Sequence, residues 1–80
     1  MVMIHKEQGN WHNNMGIALT AVGSLNQAYG HFKKALAINP QEAVYQRNFA
    51  ILFAKQNMTA EAAEHYKISE RLRLSQDGGR

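Results

Sequence analysis

Apolar residues recur at helical spacing along most of the chain and are interrupted at three short breaks. Trp11, Met15, Ala18, Leu19 and Val22 form the first stripe. Gly23 ends it. Ser24 then reads as a helix cap, with Gln27 three residues on at capping-box spacing. Leu25, Ala28, Phe32, Ala35, Leu36 and Ile38 mark a second helix. Asn39, Pro40 and Glu42 read as the cap, first position and box partner of a third. Proline fits that place because the first turn of a helix leaves its backbone donor unpaired anyway. Val44, Tyr45, Phe49, Leu52 and Phe53 continue the third helix. Asn57 suits the left-handed turn position that Gly23 fills earlier. Thr59 reads as the cap of a fourth helix. Glu61 and Glu64 sit toward its positive end, and Arg71 and Arg73 toward its negative end. The pattern predicts an all-α chain with a frayed tail at residues 77–80.

The helices repeat in pairs. A shift of 34 residues places Asn14 on Asn48, Gly16 on Ala50, Ile17 on Ile51, Ala28 on Ala62, His31 on His65 and Lys33 on Lys67. Size is kept between Trp11 and Tyr45, Met15 and Phe49, Leu19 and Phe53, Phe32 and Tyr66, and Ala35 and Ser69. The expected plan is an extension at 1–8, units at 9–42 and 43–76, and a tail at 77–80. Gly16 and Ala50 would meet Ala28 and Ala62 where helix axes approach closely. Phe32 and Tyr66 would fill the space between neighbouring pairs.

On these residues the chain resembles the tetratricopeptide family, in which Trp, Leu-Gly, Tyr, Ala, Phe, Ala and Pro recur over a unit of about 34 residues. The first unit has Met15-Gly16, Leu19, Gly23, Ala28, Phe32, Ala35 and Pro40 at those places. Trp11 stands one residue early, with His12 in the usual Trp place. The second unit has Phe49-Ala50, Phe53, Ala62 and Tyr66, lacks the first-unit Gly, and has Leu74 where Pro would fall. The resemblance implies two tandem antiparallel α-hairpins stacked as a short right-handed solenoid. Their first helices would line a concave groove for a peptide or helix of a partner protein. The groove residues so implied are Asn10, Asn13, Asn14, Ile17, Thr20 and Ala21, with Val44, Arg47, Asn48, Ile51, Ala54 and Lys55 from the second unit. A subfamily that clamps the terminal carboxylate of chaperones uses Lys and Asn at set groove positions. Asn13 and Ile17 occupy the first two, so that clamp is not reproduced.

Side-chain chemistry narrows the roles. Asn14 and Asn48 carry both donors and acceptors and could hold a ligand's backbone, or could bond within the fold. Ile17 and Ile51 suit a pocket, or burial against a neighbouring helix. Arg47 and Lys55 could attract an acidic ligand, or form a solvated face. His5, His12, His31 and His65 are the only bases active near neutral pH. None pairs at the i, i+4 spacing of a helical metal site, and His31 and His65 read as half-exposed packing residues. Ser24, Ser69 and Ser75 lack a nucleophile-elbow context. Neither catalysis, cofactor nor metal is expected.

Composition sets outer bounds. A hydrophobic share of 45% argues against disorder. With no cysteine, disulfides and thiolate metal sites are excluded, and a reducing compartment such as the cytoplasm fits. Nine Lys and Arg against six Asp and Glu leave a net charge of +3, without a basic run. Lys33, Lys34, Lys67, Arg71 and Arg73 could form a strip along the second helices, but no stacking aromatic interleaves them, so nucleic acid is disfavoured. No apolar run is long enough to span a membrane. Two units are fewer than the roughly three that bury a continuous core. The chain is therefore expected to be a fragment of a longer array or to form homo-oligomers.

Overall fold

The computed structural model describes the backbone of residues 2–78 and the side chains of residues 7–75. Four helices account for nearly all of it: α1 (Val2–Ala21), α2 (Leu25–Ile38), α3 (Ala43–Lys55) and α4 (Thr59–Gly78). The protein is all-helical, and no strand occurs among the described residues. α1 packs along α2 and α3 along α4, α2 then packs on α3, and α1 makes a smaller contact with α3. Residues 2–8 continue α1 without a break. Of the expected tail, Gly79 and Arg80 lie outside the described residues.

The turns within the two hairpins are closed in the same way. Gly23 has φ 85° and Asn57 has φ 62°, the left-handed conformation expected of both. Ser24 N donates to Leu19 O at 2.9 Å, and Gly23 N to Thr20 O at 3.1 Å. Met58 N donates to Phe53 O at 2.9 Å, and Asn57 N to Ala54 O at 3.0 Å. This pair of bonds satisfies carbonyls that a helix end leaves open.

The caps differ from expectation. Ser24 precedes α2, but its side chain makes no capping bond, so no capping box forms. Asn39 is the C-cap of α2 rather than the N-cap of α3. Its Oδ1 accepts from Gln41 N at 3.3 Å, and its carbonyl accepts from Glu42 N at 3.3 Å. These local bonds hold Pro40 and Gln41 in a turn and delay α3 until after Glu42, which takes the N-cap place. Thr59 is the first residue of α4. The carbonyl before it, on Met58, accepts from Ala62 N at 3.0 Å.

The largest correction concerns the face that α1 buries. Trp11 is 55% exposed and Val22 75%, so the ends of the apolar stripe read from the sequence lie outside the buried face, while Met15 and Leu19 are half-buried and Leu19 packs at the edge of the core. Gly9, Asn13, Gly16 and Thr20 are buried instead. Their spacing also follows one helical face. Gly16 shows why small residues are needed there. A Cβ at this position would lie 2.6–2.8 Å from three ring carbons of Phe32. The backbone of α1 therefore rests on the Phe32 ring, which is 1% exposed. Thr20 is accommodated because its Oγ1 donates to Gly16 O at 2.7 Å.

Phe32 carries the contact across to α3. Its ring lies 6.1 Å from that of Phe49, and Phe49 lies 4.7 Å from Phe53. Ala28, Leu52 and Ala62 complete this cluster, with Leu19, Leu25 and Leu36 at its edge. Tyr66, expected to fill space as Phe32 does, is 41% exposed. The cause lies in the packing order: α2 is covered by both α1 and α3, whereas α4 contacts only α3 among the described residues.

Gly16→Ala should lower the melting temperature. The clash with Phe32 costs about 1–3 kcal/mol, more than the gain of roughly 1 kcal/mol from replacing a helical glycine. In a Phe32→Leu background the same change should be neutral or stabilising, because the ring is gone. Thermal melts of the four proteins followed by circular dichroism test the reversal.

Candidate binding face of the first and third helices

α1 and α3 lie side by side on α2, and a seam of side-chain hydrogen bonds joins them. Asn48 Nδ2 donates to Asn13 Oδ1 at 3.1 Å. The Tyr45 hydroxyl donates to Asn10 Oδ1. Asn13 is 6% exposed and Tyr45 2%, so both bonds sit against the core. Burial, and the Glu42 carboxylate after it, push the Tyr45 hydroxyl above its usual pKa, keeping it a donor. Among the described residues, no buried side-chain nitrogen or oxygen lacks a partner.

Beyond the seam the two helices diverge around a cleft of about 260 Å³. Ile17, Thr20 and Ala21 of α1 face Asn48, Ile51 and Lys55 of α3, and Phe32 of α2 lies at the base. Ile17 is exposed and Ile51 half-buried. Six residues expected in a groove, Ile17, Thr20, Ala21, Asn48, Ile51 and Lys55, thus come together. Asn10 and Asn13 are taken up by the seam. Asn14 and Arg47 are exposed and do not line the cleft. Asn14 and Asn48 do not act as a matched pair, since the amide of Asn48 is engaged by Asn13.

A second constellation joins α1 to α2 and was not foreseen. His12 Nδ1 and His31 Nδ1 are 2.9 Å apart. Trp11 packs edge-on against both rings, with centroids at 5.1 and 5.7 Å. In the other hairpin His65 Nδ1 lies 2.7 Å from Gln46 Oε1. Both pairs span 19 residues. The helical spacing along one helix could not reveal them, because each pair is made across a turn. The signal lay in the 34-residue shift of the sequence on itself, which sets His31 on His65 and His12 on Gln46, a side chain that can also accept a hydrogen bond.

Desolvation lowers the pKa of His12, helped by His31 and then Lys34. Desolvation also lowers that of His65, against an opposing pull from Glu64 and Glu61. His65 is stacked on Phe53 at 5.3 Å and lies 4.9 Å from Phe49, which explains the loss of water. Among the described residues, no three His, Cys, Asp or Glu side chains gather as a metal cluster. No described helix is long and apolar enough to cross a membrane. No protein-family model matches the chain, and no curated protein matches it. Its functional reading therefore rests on geometry.

Tyr45→Phe should lower stability by about 1 kcal/mol, the net value of one hydrogen bond. Asn13→Ala should cost more, because it leaves the amide of Asn48 half-buried without this partner. Urea melts of the two variants give the order. The histidines predict a pH response with a definite sign. Both are harder to protonate in the folded chain, so the unfolded state takes up protons first as pH falls. Their stability contribution is complete above the unfolded value of 6.5 and is lost on acidification through the lower folded values. Melting temperature should fall between about pH 7 and pH 5. His12→Gln should flatten part of that slope while keeping a bond to His31, as Gln46 does with His65.

Proposed function

We propose that the chain is a pair of tetratricopeptide-like units that binds a peptide or helix of another protein in the cleft between α1 and α3. The repeat reading is supported by equivalent turns at Gly23 and Asn57. It is supported also by buried alanines at Ala28 and Ala62 and by cross-hairpin bonds from His31 and His65. The observation that carries the binding reading is the cleft itself. Two isoleucines stand open to it over an aromatic base, with Lys55 among the lining residues. An apolar side chain can be buried there, while the ammonium group favours a nearby acidic residue. Catalysis is not part of this reading.

Self-association is a second reading. Trp11, Val22, Val44 and Leu74 are large apolar residues left more than half exposed. Such surface is suited to contact with another helix.

Selection from a displayed peptide library tests the first reading. Recovered peptides should carry a bulky apolar residue beside an acidic one. Ile17→Glu and Ile51→Glu should abolish their binding without loss of helicity. Peptides that bind both variants as well as the parent chain would refute the cleft assignment. Sedimentation of the same preparations decides the second reading, which requires a mass that rises with concentration.

A further inference from the structure

The histidine pair joining α1 to α2 shares no lining residue with the cleft, and its geometry has a chemical consequence. Two imidazole nitrogens 2.9 Å apart stand at the separation of neighbouring ligands around one metal ion. With metal–nitrogen bonds of about 2.0–2.1 Å, ligands at a right angle lie roughly 2.9 Å apart. His31 also lines a hollow of about 360 Å³ together with Met15 and Gln27. Met15 follows His12 by three residues and Gln27 precedes His31 by four, so each shares a helix face with its histidine.

We propose that His12 and His31 form a chelating site for a divalent late-transition ion, Cu²⁺ foremost, clasping α1 to α2. Imidazole suits copper, nickel and zinc, and among these copper(II) binds nitrogen donors most tightly and takes ligands at right angles. Calcium and magnesium need oxygen ligands. Besides burial, the groups that act on the His12 imidazole are His31 and Lys34. In the free chain one proton lies between the two Nδ1 atoms. On binding, that ring changes tautomer, its proton moving to Nε2, and both Nδ1 lone pairs turn toward the ion. This exchange moves one proton within the ring and releases none. Water fills the remaining positions, and the Lys34 ammonium opposes the ion as a like charge.

Titration of the folded 80-residue chain with Cu²⁺, Ni²⁺, Zn²⁺ and Mg²⁺ tests this, in a His5→Ala background that removes a competing imidazole. Expected are one tight Cu²⁺ equivalent, a raised melting temperature, an electron paramagnetic resonance spectrum with coupling to two imidazole nitrogens, and no response to Mg²⁺. His12→Gln and His31→Gln should each keep the helical spectrum and weaken Cu²⁺ by at least the roughly tenfold that loss of an outer-shell partner costs. Lys34→Gln should tighten it. Unchanged Cu²⁺ affinity in both glutamine variants, or coupling to a single nitrogen, would overturn the assignment. Neither result bears on peptide binding in the cleft.

Discussion

The contact of the α1 backbone with the ring of Phe32 is the constraint on which the rest of the arrangement depends. Gly16 has no Cβ, and a Cβ there would sit inside the contact radius of that ring. The ring touches α1 on one side and approaches Phe49 of α3 on the other. One side chain thus sets the distance of two helices from α2. Interiors packed at crystal-like density do not absorb even a methyl group without displacement. The spacing between α1 and α3, and hence the width of the cleft, follows from this one stack.

Close approach leaves little room for large apolar side chains on the inner face of α1. Small and polar residues occupy it, and directional bonds take over from bulk. Asn13 with Asn48, and Asn10 with Tyr45, hold α1 to α3 at two successive turns. Hydrogen bonds fix register in a way that apolar contact does not, since a shift of one residue would leave buried amides unpaired. The isoleucines one turn further along are then left outside the closed seam. Their openness is a by-product of how the helices are joined, which is why they form a cleft rather than core.

The two hairpins use one device with different chemistry. A hydrogen bond crosses each turn over the same separation, made by His12 and His31 in one and by Gln46 and His65 in the other. One hairpin places an amide oxygen where the other places a second imidazole nitrogen.

Helix number and type, and the left-handed turns at Gly23 and Asn57, were determined by the sequence. They depend on local propensity and on periodicity, which neighbouring residues carry. The aromatic stripes of α2 and α3 were legible for the same reason. The buried face of α1 was legible only in part: Gly16 stood out as a place of close approach, but periodicity ranks residues by hydrophobicity and could not register that it would lie under the Phe32 ring or that Asn13 and Thr20 would be buried beside it. Asn48 was recognisable as a residue with some special role, but its partner Asn13 lies 35 residues away on a different helix. The cap expected at Asn39 shifted because its local turn bonds to Gln41 and Glu42 competed with the helix, and Thr59 lies one residue inside α4. Tertiary structure alone decided which polar residues meet across helices, because such pairing depends on interhelix distance and angle, quantities set by packing and absent from any stretch of sequence.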